Sequence, residues 1–238
     1  MRTDNRLPSQ MRPVEIKTGV LATAEGSALI HVGNTQVLCA ASVEDGVPAF
    51  LRNRGKGWVT AEYSMLPRAT AKRTPREVTK GRASGRTHEI QRLIGRSLRA
   101  VVDMSALGER TVIVDCDVLQ ADGGTRTASI TGGFVALALA LRQLVDFGAI
   151  KTMPVRDCLA AISVGLVRGV PMLDLCYEED SQADVDMNVV MTGAGRFVEV
   201  QATAEHGSFD DAQMAEFVSL GRRGIADLVE LQKKAVRI

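Results

Sequence analysis

Twice along this chain, a series of predicted strands is followed by a long predicted helix. This order limits the possible folds more than any other feature of the sequence. In the first half, residues 28–43 predict a β-hairpin whose turn is Gly33-Asn34, because both residue types adopt positive φ angles at little cost. The second half repeats the style with two further hairpins and a final amphipathic helix at about residues 210–234. Strands that give way to helices in this order imply a two-layer α/β (α+β) protein.

The remaining elements follow from the hydrophobic period and the residue types. β-branched residues favour strands, whereas Ala/Leu-rich stretches and apolar residues at a 3.6-residue spacing favour helices. Stretches with little periodicity and many polar residues are typical of loops. The predicted elements are helices at 87–104 and 127–145, a strand at 111–119, hairpin strands at 159–167 with 172–177 and at 187–192 with 197–202, and a long loop at 67–84.

The chain has 238 residues, of which 45% are hydrophobic and 24% are charged, a balance typical of a folded soluble protein. This length suits a single domain whose two halves, residues 1–150 and 151–238, share one core. No uninterrupted apolar run approaches the roughly 20 residues of a membrane span, and the first residues lack the apolar segment of a signal peptide, so we expect a cytoplasmic protein. Four cysteines without a C-x-x-C pair predict neither a zinc knuckle nor a disulfide framework.

Basic residues cluster in one segment, although the formal net charge of the whole chain is only +1. The helix predicted at residues 87–104 adds a basic stripe beside its apolar stripe, formed by Arg92, Arg96 and Arg99. Such clusters are the local electrostatic footprint that a phosphate backbone selects. Between residues 67 and 86, one acid, Glu77, stands among seven basic residues: Arg68, Lys72, Arg73, Arg76, Lys80, Arg82 and Arg86.

A glycine-rich stretch, DGGTRT at residues 122–127, lies where a predicted strand ends and a predicted helix begins. Successive glycines let the backbone approach an anion, and the free N–H groups of a helix start attract it. Thr125 and Arg126 add further donors. This pattern predicts a phosphate cradle, but it is equally that of a tight turn whose threonines cap the helix, and the pattern alone leaves both interpretations open.

Arg86 belongs to the stretch GRASGRT at residues 81–87, which superficially resembles a nucleotide-binding P-loop. The stretch is one residue short between its glycines and has Arg86 where that motif needs lysine, so binding of a nucleoside triphosphate is not supported. Arg86 stands instead at the start of the basic-faced helix, where its planar guanidinium suits a two-point contact with phosphate. The alternative is an ordinary surface arginine.

An acidic stretch, EEDSQADVD at residues 178–186, lies between two predicted strands. Its carboxylates are hard oxygen ligands of the kind that Mg²⁺ prefers, and a metal there would neutralise charge that builds up on a phosphate ester. The alternative is a solvated acidic loop. The three histidines are scattered and do not form the local pattern of a hydrolase triad.

Several longer blocks of this sequence resemble the bacterial ribonuclease PH family, which is related to polynucleotide phosphorylase and to the ring subunits of the exosome. The resemblance covers nearly the whole chain. The blocks are GWVTAEYSMLPRAT at 57–70, SGRT at 84–87, EIQRLIGRSLR at 89–99, QADGGTRTAS at 120–129, EED at 178–180 and VDMNVVMTG at 185–193.

The resemblance implies a fold, a reaction and a set of site residues. The fold would have left-handed β-α-β crossovers and mixed sheets packed against helices, a handedness that runs against the usual rule. The reaction would be attack of inorganic phosphate on the last phosphodiester of a tRNA precursor, which releases a nucleoside diphosphate and, in reverse, extends an RNA end. The implied phosphate-binding residues are Arg86, Gly124, Thr125 and Arg126, and the implied acidic residues are Asp180 and Asp186, for a divalent metal (Mg²⁺ or Mn²⁺) and proton transfer, with Asp184 nearby.

By the same resemblance, the basic loop would hold the RNA by its phosphates, and the protein would form a homohexameric ring, a trimer of dimers. The arginines of the basic helix stripe would serve RNA binding or a subunit boundary. The implied RNA-binding residues are Arg68, Lys72, Arg73, Arg76, Arg92, Arg96 and Arg99. We expect Asp180 to protonate the leaving 3′-oxygen.

One departure from the family pattern is Ala202, which stands where a glycine is expected and allows less backbone freedom. Two alternatives to the enzyme remain. A catalytically silent ring subunit would bind RNA without cleaving it, and a purely structural RNA-binding module would need the basic cluster but not the acidic one. The phosphate and acidic residues are retained together, which argues against both.

Overall fold

The computed structural model describes residues 2, 4–81 and 83–236, which form two β-sheets packed against helices. The first sheet has the strand order β1-β2-β3-β5-β4 and is mixed, because β4 and β5 are parallel while the other pairs are antiparallel. Its strands are β1 (Val14–Thr18), β2 (Gly26–Val32), β3 (Thr35–Asp45), β4 (Trp58–Met65) and β5 (Arg110–Gln120).

The second sheet is antiparallel and has the order β7-β6-β8-β9. The predicted α/β class, with a mixed sheet and helices packed on sheets, is confirmed. The strands of this second sheet are β6 (Leu159–Val167), β7 (Val170–Leu173), β8 (Val185–Thr192) and β9 (Phe197–Ala204). The α-helices are α1 (Gly85–Arg99), α2 (Met104–Leu107), α3 (Thr125–Asp146), α4 (Tyr177–Asp180) and α5 (Asp211–Val236). The loop predicted at 67–84 contains one short 3₁₀ turn, Glu77–Lys80.

Helix α3 is the centre of the core, because it packs against β2 and β3 of the first sheet and against β6 of the second. It is buried along most of its length, including Phe134, Leu137 and Leu141. By length and composition it could cross a membrane, but 72% of the apolar stretch is buried inside the protein, as in the core helix of a soluble protein. Most buried apolar residues of both halves form one continuous cluster around it, and a second, smaller cluster consists of Val167, Met172, Leu175 and Ala183.

Turn chemistry explains the hairpins and one wrong strand end. The β2–β3 turn is Gly33-Asn34 as predicted, with a positive φ angle at Gly33. The β6–β7 turn is Arg168-Gly169, and both of these residues have positive φ angles. The strand predicted at 172–177 was wrong, because β7 already ends at Leu173. Asp174, at a positive φ of 54°, then redirects the chain toward α4.

Capping explains why the helix predicted at 87–104 ends early. The Ser84 hydroxyl accepts the Thr87 N–H and starts α1, but the helix ends at Arg99. The Asp103 carboxylate then accepts the N–H groups of Ser105 and Ala106 and starts the separate helix α2. A carboxylate at this position favours a new helix start over continuation of the old one.

The contact between β2 and α3 depends on a glycine and yields a stability prediction. A Cβ at Gly26 would lie 2.1 Å from the Ala136 carbonyl oxygen and 2.5 Å from the Ala140 nitrogen. Because both are backbone atoms of a helix, neither can move aside cheaply. We expect Gly26→Ala to lower the free energy of unfolding by about 3 kcal/mol.

The control is Gly85→Ala, where an added Cβ would meet nothing within 4 Å. Gly85 begins α1, so alanine there should leave stability unchanged or raise it by about 0.5 kcal/mol. Urea unfolding midpoints at one protein concentration measure both effects. Equal midpoints for the two variants would show that a methyl group at position 26 fits between β2 and α3, and would contradict the close contact.

Candidate active site

One cavity of about 810 Å³ lies where residues from both halves of the chain meet. Its wall is formed by the start of α1, the first turn of α3, the end of α4 and the start of β8. The cavity therefore brings together all the residues singled out from the sequence for catalysis and phosphate binding except Asp184. They are Arg86, Gly124, Thr125, Arg126, Asp180 and Asp186, and Lys72 of the basic loop joins them.

The turn at residues 122–127 has the backbone of an anion cradle. Gly123 and Gly124 have φ angles of 74° and 67°, and α3 begins directly after them at Thr125. The N-cap is Gly124, which has no side chain to cap the helix, and the Thr127 hydroxyl donates to the Gly124 carbonyl oxygen at 2.9 Å instead of accepting an N–H. Gly124 is therefore the N-cap and no threonine side chain caps the start of α3. This favours the anion-cradle interpretation over that of a threonine-capped turn.

Gly123 is also required for packing. A Cβ at this position would lie 2.6 Å from the Leu175 carbonyl oxygen and 2.7 Å from the carbonyl carbon of Cys176. Only a glycine lets this turn lie directly against the segment that leads into α4. Close approach fixes the distance between the cradle and the acidic residues of the cavity.

Two arginines give the cavity positive charge in different ways. Arg126 is held in place, because Nη1 donates to Gln201 Oε1 at 3.2 Å and lies 4.0 Å from Glu89 Oε1. Arg86 is exposed, and within the described part of the chain its guanidinium has neither a hydrogen bond nor an ion pair. A fixed cation and an adaptable one therefore face the same space.

Two of the carboxylates that line the cavity, Asp180 and Asp186, are electrostatically strained. Burial, and then the neighbouring Asp180, raise the pKa of Asp186 to about 6 from an ordinary value of 3.8. Burial also raises the pKa of Asp180, although Arg126 and Arg86 oppose the shift. Asn188 Nδ2 donates to Asp186 Oδ2 at 3.2 Å. Near neutral pH, Asp186 can therefore take up and release a proton, which is a property suited to acid–base chemistry.

Asp184, which the resemblance places near the acidic pair, does not join Asp180 and Asp186 in this cavity. Asp184 is absent from the cavity wall, and its backbone is tied to Leu166 and Glu205 by hydrogen bonds of 2.8 and 2.9 Å. The acidic stretch is also not one loop, because it contains both α4 and the start of β8. In residues 2, 4–81 and 83–236 there is no group of three or more His, Cys, Asp or Glu side chains placed to hold a metal.

A buried ionic network supports the cavity, and no local sequence pattern indicates it. Arg12 contacts the Asp174 carboxylate through two nitrogens at 2.7 and 2.9 Å, and its Nη1 donates to the Asp122 carbonyl oxygen. Arg2 contacts both carboxylate oxygens of Glu179 at 2.7 Å. The first residues of the chain thus fasten both the phosphate cradle and helix α4.

The predicted RNA-binding residues of the loop have different surroundings. Lys72 lines the cavity, whereas Arg68 donates to the Ala71 carbonyl oxygen at 3.0 Å and so shapes the loop. Arg73 and Arg76 are exposed. Two other members of the sequence cluster, Arg82 and the side chain of Lys80, lie outside the described residues.

The basic stripe of α1 is not one uniform surface. Arg99 donates to the Val59 carbonyl oxygen at 2.9 Å and stacks on the Trp58 ring at 4.3 Å, so it packs helix α1 onto β4. Arg96 forms an ion pair with Glu199 of β9. Arg92 alone of the three is exposed without such a contact inside the described ranges.

Ala202 lies on β9, and His206 follows the end of that strand. Ala202 stands opposite Met187 in the regular β8–β9 pairing, so the backbone freedom of a glycine is not needed there. His206 lines a second cavity of about 450 Å³, whose wall also includes Asp180 and Asp186. The carboxylate pair is therefore reached from two sides.

Comparison with known proteins gives consistent matches over almost the whole chain. Residues 10–143 match the model of the 3′ exoribonuclease family, domain 1, and residues 157–224 match that of domain 2. The ribonuclease PH of Solibacter usitatus (strain Ellin6076) is 77% identical over 236 residues, which cover 99% of each chain. The ribonuclease PH of Bacillus pumilus (strain SAFR-032) is 61% identical over 98% of this chain and 97% of its own.

Solved structures with a similar fold come from exosomes. The Archaeoglobus fulgidus exosome with RNA bound to the active site contains a chain with a TM-score of 0.82 and 25% identity, over 96% of this chain and 91% of that one. An archaeal exosome core has a TM-score of 0.76 and 24% identity, over 98% and 90% of the two chains, and shows the shared fold.

The strained Asp186 yields a prediction about stability and pH. As pH rises, the unfolded carboxyl group (ordinary pKa 3.8) loses its proton before the folded one (about 6), so the free energy of unfolding falls between these values and stays lower above them. Asparagine cannot ionise. We therefore expect Asp186→Asn to be more stable than the original protein above about pH 7 by about 1–3 kcal/mol, after allowance for the carboxylate's partial exposure.

Urea unfolding with EDTA present, measured from pH 4 to pH 8, tests this expectation. The stability gain should shrink steeply toward pH 4, where the folded carboxyl group is protonated and the unfolded one is partly protonated. Asp227→Asn, at an exposed position of α5, is the control and should show no such gain. A pH-independent difference between Asp186→Asn and the original protein would contradict the assigned cause.

Proposed function

This chain belongs to the 3′ exoribonuclease family and is a phosphorolytic 3′-to-5′ exoribonuclease acting on tRNA, and we propose that its reaction takes place in the 810 Å³ cavity. The observation that carries the proposal is the meeting of two arginines, a glycine-rich helix start and a strained carboxylate pair in that one space. As a phosphate-dependent enzyme it is also a tRNA nucleotidyltransferase, because phosphorolysis and chain extension are one reaction in two directions.

Inorganic phosphate would bind at the cradle and the two arginines. The reaction has to bring one anion against another, so positive charge and free donors must offset their repulsion. The N–H groups that follow Gly124 supply the helix-start donors, and Arg126 is already oriented by Gln201. Exposed Arg86 would close on the phosphate when it arrives.

The carboxylate pair would manage the proton of the leaving group. Attack by a phosphate oxygen on the terminal phosphodiester breaks the bond to the 3′-oxygen of the preceding nucleotide, and that oxygen needs a proton. Asp186, with its pKa raised to about 6, and the adjacent Asp180 can hold such a proton near neutral pH. No covalent intermediate on the protein is required.

The same two carboxylates fit a divalent cation. Asp180 and Asp186 repel each other, as the raised pKa of Asp186 indicates, and a hard cation would relieve this repulsion with water completing its coordination. When bound, Mg²⁺ or Mn²⁺ would supply neutralising charge for the phosphoryl oxygens. We assign this role to Asp180 and Asp186 without Asp184.

The basic loop would hold the tRNA precursor by its phosphates. Lys72 lies at the cavity wall, and exposed Arg73 and Arg76 follow it along the chain. Contacts of this kind position an RNA end without reading its sequence. Arg68 would act indirectly by shaping the loop, and Arg92 would act from α1.

We further propose that the protein works in the cytoplasm as a homohexameric ring, a trimer of dimers. The exosome likeness supports a ring assembly. Exposed apolar side chains on β9, Phe197 and Val200, suit a subunit boundary better than open solvent. Arg96 and Arg99 lie on the neighbouring face of α1 and would belong to such a boundary rather than to RNA binding.

Product analysis with a single arginine variant tests the assignment of phosphate binding. An end-labelled tRNA precursor incubated with Mg²⁺ should release nucleoside diphosphates only when inorganic phosphate is present. In Arg126→Gln, kcat/KM for phosphate should fall by about 10²–10³, while affinity for RNA stays unchanged. Arg223→Gln, at an exposed position of α5, is the matched control. Release of nucleoside monophosphates without phosphate would mean hydrolysis and would refute the mechanism, and salt-sensitive RNA binding without any product would favour a silent ring subunit.

The salt dependence of RNA binding tests the role of the loop. If Arg73 and Arg76 each neutralise one phosphate of single-stranded RNA, the double variant Arg73→Ala/Arg76→Ala should reduce the slope of log K against log salt by about 1.4. Filter binding or fluorescence anisotropy without phosphate, between 50 and 300 mM salt, gives the slope. The single variant Arg223→Ala should leave it unaltered, and an unchanged slope in the double variant would exclude these two residues from the RNA contact.

A further inference from the structure

Tyr63 is a core residue whose polar end reaches the phosphate cradle. It lies on β4 opposite Cys116 of β5, and 6% of its surface is exposed. Its Oη is 2.9 Å from Thr125 Oγ1, within hydrogen-bond distance. Thr125 is the first residue of α3 and lines the cavity.

We propose that Tyr63 is a positioning residue for phosphate, because its phenol donates to Thr125 Oγ1 and leaves the Thr125 proton to be donated into the cavity. This inference rests on the proposed function, since it takes Thr125 as a phosphate ligand. Tyr63 itself would not touch the phosphate.

The hydrogen-bonding capacity of the two hydroxyl groups supports this direction. Each hydroxyl has one proton and two lone pairs, and a phenol is the more acidic of the two, so the phenol is the natural donor. Within the described residues, Tyr63 is the one hydrogen-bond partner of Thr125 Oγ1. The Thr125 proton therefore has no competing acceptor in the protein and remains available for an anion.

Thr127 shows what happens without such a partner. Its hydroxyl, one helical position away from Arg126, donates to the Gly124 carbonyl oxygen at 2.9 Å. Threonines near a helix start readily turn their protons to backbone acceptors in this way. Tyr63 gives Thr125 Oγ1 a fixed donor. This donor sets the Thr125 rotamer, so that the Thr125 hydroxyl proton points away from Tyr63 and toward the cavity.

The surroundings of Tyr63 keep it a donor and place it in the field of the site. Burial raises the pKa of the Tyr63 hydroxyl, while the Thr125 contact and the charges of Arg86 and Arg126 oppose that shift. The phenol therefore keeps its proton at the pH of the reaction. Arg86 and Arg126 are the cations assigned to phosphate, so donor and anion would belong to one hydrogen-bonded chain whose links strengthen one another.

The experiment is a double-mutant cycle on phosphate kinetics. Tyr63→Phe removes only the hydroxyl group and should raise the KM for phosphate by roughly tenfold, with little change in kcat or in the KM for RNA. Thr125→Ala should raise the phosphate KM at least as much, and Tyr63→Phe should add nothing in the Thr125→Ala background. Thr125→Ser, which keeps the hydroxyl, should remain sensitive to Tyr63→Phe.

The other outcomes distinguish a wrong assignment of Thr125 as a phosphate ligand from a wrong positioning role for Tyr63. If Thr125→Ala leaves the phosphate KM unchanged, Thr125 is not a phosphate ligand, and both the assignment and the positioning role fall. If Thr125→Ala raises it but Tyr63→Phe does not, only the positioning role is lost. Equal rises of the phosphate and RNA KM values in Tyr63→Phe, together with a lowered melting temperature, would mean a purely structural tyrosine. Additive effects in the double variant would mean that Tyr63 acts independently of Thr125.

Discussion

The buried contact between Arg12 and Asp174 holds together the parts of the protein that form the cavity. Both oxygens of Asp174 accept from Arg12, which also donates to the Asp122 carbonyl oxygen of the cradle. Asp174 in turn lies just before α4, where Glu179 is fastened by Arg2. A buried ion pair costs desolvation energy and is retained where bidentate geometry and added hydrogen bonds offset it. The geometry here meets both conditions, so the cradle and the acidic helix behave as one rigid piece.

In the cavity beside this network, the carboxylates Asp180 and Asp186 are placed at the expense of stability. Burial and then the neighbouring Asp180 disfavour ionisation of Asp186, burial disfavours ionisation of Asp180, and the cation Arg126 only partly offsets both penalties. The same charges are complementary to a phosphate ester with a bound cation and a departing oxygen. This unfavourable charge arrangement is thus concentrated in the cavity in which we propose that the reaction takes place.

Local patterns predicted the parts of this structure that local physics decides. The Gly33-Asn34 hairpin and the glycine-rich turn at 122–127 follow from glycines that adopt positive φ angles at little cost, and helix α3 follows from an Ala/Leu-rich stretch. The end of α1 and the short β7 were missed, because one carboxylate at Asp103 and one positive φ at Asp174 override the surrounding hydrophobic pattern.

The candidate site was predicted only as far as the family resemblance reached. The resemblance named the arginines, the cradle and the acidic pair, and it also placed Asp184 nearby, which is not part of the cavity wall. Arg99 read as part of a basic surface, although it stacks on Trp58. Nothing in the sequence around Arg2 or Arg12 indicates a partner more than 160 residues away. Contacts of that kind are decided by the tertiary fold alone.

The pairing of Arg2 with Glu179, 177 positions later, also bears on how the protein is made. A ribosome adds about 5–20 residues each second, so the first residues wait on the order of ten to forty seconds for their partners to be synthesised. Helix α4 and Asp186 are added only after the first sheet, whose strand β5 ends at Gln120, and after the glycine-rich turn at residues 122–127. A growing polypeptide therefore lacks the carboxylate side of the cavity, and Arg2 lacks its Glu179 partner, until the ribosome has added residues 179–186.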